Sequence, residues 1–140
     1  MTHIARRAEI FGLCTVLSFA CVSHAGDRDV TVPTDEETVV LAGTLSMPDG
    51  MDGDDRVPAV VLLSGSGPQD RDSALVGRAP FRVLADVFVS RGYAVLRCDD
   101  RGVGGSSGER AGATVDDFVD DARGMVAFVS GLEGVDASSV

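Results

Sequence analysis

Residues 57–63 read Val-Pro-Ala-Val-Val-Leu-Leu, a stretch without a polar side chain. A strand with one wet face alternates apolar and polar residues, so a continuous apolar run of this length predicts a strand covered on both faces, as in a parallel sheet flanked by helices. Its continuation supports that geometry. Pro80 can open a helix at its first position, and Phe81, Leu84, Ala85 and Phe88 follow at i, i+3, i+4 and i+7 as one stripe, with Gly92 as a stop. Residues 93–98 then form a second short apolar strand.

The remaining segments extend the same pattern. Residues 28–32 and 39–47 are β-rich runs around Asp35-Glu36-Glu37, which predicts an antiparallel pair near a sheet edge. Residues 48–56 are rich in Asp and Gly and predict a surface turn. Thr114 caps a second helix, with Asp117 three residues later in the reciprocal capping position. Its expected buried stripe is Val115, Phe118, Val119, Ala122, Val126 and Val129, with Asp116, Asp120 and Asp121 facing out. Gly131 and Gly134 close it, and residues 138–140 start another strand. Strand and helix units that alternate in this way predict an α/β fold with right-handed crossovers. Active sites in such sheets gather on loops beyond the carboxyl ends of the strands, here the loops that follow Leu63 and Cys98.

Residues 1–25 differ in character. Arg6 and Arg7 precede an apolar run over residues 10–22, and Ser23-His24-Ala25 places small residues at the −3 and −1 positions of a cut after Ala25. This is the pattern of a secretory signal peptide, and the run is shorter than the roughly 20 residues of a membrane span. Two other export routes fit less well: Ser18 stands where a lipoprotein cysteine at Cys21 wants a leucine, and Ala8-Glu9 is a poor sequel to a twin-arginine pair. The expectation is an exported domain over residues 26–140, without stable membrane insertion.

Composition narrows the chemistry. The formal charge is −10 and all 12 basic residues are arginine. An acidic chain with no basic stripe argues against nucleic acid as a partner. The missing lysine removes the Walker-A phosphate loop, Schiff-base chemistry and Ser–Lys dyads. Both histidines, His3 and His24, fall within the signal segment, as do Cys14 and Cys21. The domain after the cut therefore has no imidazole and cannot form an internal disulfide. Cys98 ends an apolar strand, where a cysteine acts as a small buried hydrophobe.

The first marked loop reads Ser64-Gly65-Ser66-Gly67-Pro68-Gln69-Asp70-Arg71-Asp72. Glycines after a buried strand let the backbone turn sharply and aim amide N–H groups into a cleft, where they could hold the negative oxygen of an acyl-transfer transition state. A plain tight turn explains the same glycines. The second loop, residues 99–108, contains Gly104-x-Ser106-x-Gly108, which matches the nucleophile-elbow string. An elbow serine sits on a sharp turn running straight into a helix, whereas more loop separates Ser106 from Thr114, and no histidine of the exported domain could activate it. Ser106 is read as a false match. Asp70, Asp72, Asp99 and Asp100 could hold a cation, but loops rich in Asp and Arg commonly satisfy their own backbone and one another. Structural roles are expected for Asp70, Arg71, Asp99 and Arg101, and neither a metal nor a cofactor is expected.

Taken together, residues 41–48, 58–72, Phe81 with Leu84-Ala85-Asp86, and Arg91-Gly-Tyr-Ala-Val-Leu-Arg-Cys-Asp-Asp-Arg-Gly-Val-Gly-Gly-Ser106 resemble the start of an α/β-hydrolase, nearest to bacterial esterases beside the dienelactone-hydrolase-like and serine-aminopeptidase-like groups. The resemblance runs from about Val30 to Val140. It implies antiparallel first strands followed by parallel strands with crossover helices, and it places Ser66, with Gly67 adjacent, where a backbone N–H contributes to an oxyanion hole. It also implies that the nucleophile elbow, the triad acid and the histidine come after the strand beginning near Ser139. On this reading the chain is the N-terminal part of an exported serine hydrolase, stopping before its elbow and inactive alone. Its substrate would be a small ester or acyl compound, whose pockets form from later strands and lid insertions.

A serine aminopeptidase-like hydrolase is the nearest alternative. A small non-catalytic α/β binding module is another, and against it stands the open apolar edge that residues 57–63 would leave. A degenerate gene product is a third. The sequence leaves the oligomeric state open.

Overall fold

The computed structural model describes residues 26–140, so the expected export signal over residues 1–25 lies outside the described residues. Four strands and two helices follow in the order β1 (Gly26–Pro33), β2 (Val40–Met47), β3 (Ala59–Leu62), α1 (Pro80–Val89), β4 (Ala94–Cys98) and α2 (Val115–Ser130). In space the four strands lie in the order β1-β2-β4-β3. β1 pairs antiparallel with β2 and β2 antiparallel with β4, while β3 and β4, joined through α1, run parallel. The expected α/β architecture is present: an antiparallel start followed by a parallel pair with a crossover helix.

The buried center of the sheet is β4, every residue of which is buried. The run at residues 57–63, expected to be covered on both faces, holds a less central place: Ala59 is buried, Val60, Val61 and Leu62 are half-buried, and Leu63 is 53% exposed. The reason is position. β3 ends the strand order, and among the described residues its outer edge is met only by the segment after α2. There the Val57 N–H donates to Gly134 O, the Asp136 N–H to Val57 O and the Ala59 N–H to Ser139 O, with Val57 and Val135 forming a parallel bridge. This pairing begins at Gly134, earlier than the expected strand start at residue 138.

One core lies on the α2 side and gathers Val32, Leu41, Leu45, Leu96, Met125 and Val129. A smaller one on the α1 side holds Ala85, Val89 and Val95. Arg97 is the charged member of β4; it is 2% exposed and pairs with Asp27 at 3.0 Å and with Asp72 at 3.3 Å.

Both helices rotate relative to the expected stripes. In α1, Ala85 and Val89 are buried and Leu84 is 42% exposed. In α2 the buried residues are Asp121, Met125 and Val129, whereas Val115, Val119 and Val126 are exposed. Asp121 thus points inward, contrary to expectation. Two features fix this rotation. Gly124 sits so close to β1 that a Cβ there would meet Pro33 O at 2.7 Å, so this face must pack inward. Asp121 is met by Arg101, which donates from Nε at 2.8 Å and from Nη2 at 2.9 Å. The start of α2 is as expected: Thr114 and Asp117 form a reciprocal capping box.

Candidate functional site

The parallel pair brings the loop after β3 and the loop after β4 to the same edge of the sheet. Arg71 and Asp99 bind them together. Arg71 donates from Nε to Oδ1 at 3.0 Å, from Nη2 to Oδ2 at 2.9 Å and from its backbone N–H to Oδ1 at 2.8 Å. Its Nη1 reaches back to Gly43 O at 2.9 Å, so β2 is tied in as well. Asp100 makes the second joint, accepting from the Ser64 hydroxyl at 2.5 Å, the Gln69 N–H at 3.0 Å and Arg110 Nη1 at 3.1 Å. These charge-assisted bonds meet the expectation of structural roles for Arg71, Asp99 and, through Asp121, Arg101. Asp70 is likewise structural, accepting from the backbone N–H groups of Asp72 and Ala74. Among the described residues no cluster of three or more metal-binding side chains forms.

Electrostatics follows from this wiring. Burial pushes the Asp99 carboxyl upward, but the Arg71 side chain and the N–H groups of Gly105 and Arg71 outweigh it and hold the pKa below its ordinary value. The hydrogen bond to Asp121 holds the Arg101 guanidinium above its ordinary range. Burial pushes the Cys98 thiol up to about 12, which leaves it protonated and inert as a nucleophile. Cys98 is the small buried hydrophobe expected of it.

Ser106 has a definite job. Its hydroxyl donates to Asp99 O at 2.8 Å and accepts from the Ala42 N–H at 2.9 Å. Ser107 repeats the arrangement, its hydroxyl accepting from the Val40 N–H at 2.8 Å. The Gly104-x-Ser106-x-Gly108 string is a clip that fastens the second loop along β2. Gly105 permits the approach, since a Cβ there would meet that of Ala42 at 2.8 Å.

Ser66 and Gly67 lie in the first loop. Gly67 has φ +95°, a conformation that side chains rarely adopt. Among the described residues, the N–H groups of residues 65–67 donate to no acceptor of the protein. Ser64, Gly65 and Ser66 border a cleft of about 420 Å³, walled by Leu62, Leu63 and Cys98 from the sheet side and by Val115, Phe118, Val119 and Met125 from α2. This volume falls within the range of ligand sites, roughly 300–1,000 Å³. Arg110 also borders the cleft, its guanidinium 5.0 Å from the center of the Phe118 ring. Sequence reasoning passed over Arg110, because only the folded loop brings it to Asp100 and Phe118.

This strand order, with its open loops at the carboxyl edge, is that of an α/β-hydrolase-like fold. A hypothetical protein from Pseudomonas aeruginosa superposes with a TM-score of 0.67 and 26% identity, over 84% of this chain and 35% of that one. A protein described as a dipeptidyl aminopeptidase IV from Bacteroides ovatus gives 0.66 and 22%, over 83% of this chain and 17% of that one. DcsB, solved with its substrate analogue, gives 0.60 and 20%, over 81% of this chain and 34% of that one. The chain spans well under half the length of each. No family model and no curated protein matches it.

Proposed function

We propose that this chain is the N-terminal portion of an exported serine hydrolase, a carboxylic-ester hydrolase that works through an acyl-enzyme. In this reading the N–H groups at Ser66 and Gly67 form part of the oxyanion hole, and the attacking serine lies in sequence beyond Val140. The observation that carries it is the set of unengaged amides at residues 65–67, held on a braced loop of which Gly65 and Ser66 border an apolar cleft at the carboxyl edge of the sheet. Donors fixed in advance at such a place stabilize a developing oxyanion without reorganizing. Within residues 26–140 no histidine stands near any serine, so the general base must come from elsewhere.

The experiment has two arms. The full chain is expected to leave p-nitrophenyl butyrate untouched; turnover that Ser66→Pro abolishes would overturn the placement of the nucleophile. In the second arm the source DNA is read past the codon for Val140 and the longer protein is expressed. An in-frame Gly-x-Ser-x-Gly and ester turnover are expected, with Ser66→Pro lowering kcat about a hundredfold or more, as loss of one oxyanion donor does. A longer protein indifferent to Ser66→Pro would contradict the proposal.

A further inference from the structure

We propose that Arg110 is a charge-recognition residue of the cleft, and that the cleft takes an amphipathic acyl group ending in a carboxylate. This rests on the hydrolase reading and adds the class of acyl group. The Arg110 guanidinium is held on two sides. Its central carbon, Cζ, lies 5.0 Å from the Phe118 ring center, and Nη1 donates to Asp100 Oδ2 at 3.1 Å. Held in this way, the fork is placed before any ligand arrives. Its Nε and Nη2 meet no acceptor among the described residues, and the side chain, 27% exposed, borders the same cleft as Ser66.

The other cations beside the cleft are occupied. Arg71 is forked onto Asp99 and also serves Gly43 O. Arg101 is forked onto Asp121 and also reaches Asp117 O. The cleft-lining carboxylates Asp99 and Asp121 are therefore each matched by their own arginine, and Asp100 accepts from three donors. Arg110 keeps donors to spare beside walls of Leu62, Leu63, Val119 and Met125. A hydrocarbon body with an anionic end is complementary to this surface.

The test compares octanoate with octanamide, a neutral probe of nearly the same shape, binding to the full chain by calorimetry at about 0.15 M salt, where the screening length is about 8 Å. The protein's net charge of −10 opposes any anion, so preference for octanoate must arise locally. Octanoate is expected to bind about tenfold more tightly, the scale of one charge-assisted hydrogen bond. Arg110→Gln, checked for native circular dichroism, is expected to erase that preference. Arg123→Gln, the same change of charge at an arginine that is 69% exposed, paired with Asp120 and away from the cleft, is expected to retain it. Equal binding of the two probes, no binding of either, a preference that survives Arg110→Gln, or an equal loss in Arg123→Gln would each overturn the proposal. Ester turnover by the longer protein that depends on the Ser66 amide but ignores acyl charge would leave the hydrolase reading standing while this one falls. A preference for octanoate in a longer protein that hydrolyzes no ester would do the reverse.

Discussion

Arg71 grips Asp99 through two parallel hydrogen bonds, at 3.0 and 2.9 Å, and so joins the loop after β3 to the loop after β4. The Asp99 side chain is 6% exposed, and removing its partner would strand a buried charge. Arg71→Met is therefore expected to lower the unfolding free energy by about 3 kcal/mol. Urea unfolding followed by circular dichroism measures this; a loss within experimental error would mean that the two loops do not depend on the pair.

The same pair sets the response to acid. The Asp99 pKa is lowered from 3.8 because hydrogen bonds from Arg71 and Gly105 outweigh the opposing effect of burial, and Asp27 is lowered against burial by Ser46 and Arg97. A carboxyl whose folded pKa lies under its unfolded value binds protons more readily when unfolded. Its contribution is thus present above the unfolded value and lost as pH falls through the folded one. Unfolding midpoints measured from about pH 6 downward are expected to drop steeply only below about pH 4. Asp99→Asn should have a lower plateau and a shallower fall.

Ser106→Ala removes one hydroxyl that serves two backbone groups, Ala42 N–H and Asp99 O. Stranding part-buried backbone partners costs about 1–3 kcal/mol, which thermal unfolding would register. Because Ser106 is a clip, neither the full chain nor its variant is expected to take up a fluorophosphonate at this position. Labeling at Ser106, read by peptide mass spectrometry, would refute that role.

Gly124 gives a test in which two effects oppose. Alanine is favored over glycine inside a helix by about 1 kcal/mol, so Gly124→Ala would stabilize a free helix. Here the new Cβ would lie 2.7 Å from Pro33 O and 3.3 Å from Thr34 Cα, backbone atoms that cannot swing aside. Overpacking of this kind costs about 1–3 kcal/mol, and a net loss of stability is expected. A gain would show that α2 stands farther from β1.

Local features of the fold were legible in the sequence. The Thr114–Asp117 capping box depends on a three-residue spacing, and Pro80 carries its own backbone constraint, so both could be read without knowing the tertiary structure. The face of α2 that turns inward could not be read that way. Val115, Val119 and Val126 form as good an apolar line as Phe118, Met125 and Val129, and the choice rests on Gly124 against Pro33 and on Asp121 meeting Arg101 across 20 residues of sequence. The run at residues 57–63 announced a sheet strand, but its rank below β4 depends on strand order, which periodicity does not encode. In the site, the glycine loop was visible as a string. Arg110 was hidden because its meaning comes from Asp100 and Phe118, neighbors that the intervening loop alone brings to it.

Amide hydrogen exchange of the full chain, resolved residue by residue by NMR, tests most directly whether the backbone after β3 is open to an incoming oxyanion. Ser66 and Gly67 are expected to exchange at nearly the rate of an unstructured peptide, while Val95, Leu96 and Arg97 in β4 stay protected under the same conditions. Protection of Ser66 and Gly67 comparable to that of β4 would mean that those amides are already bonded, and the account would be contradicted.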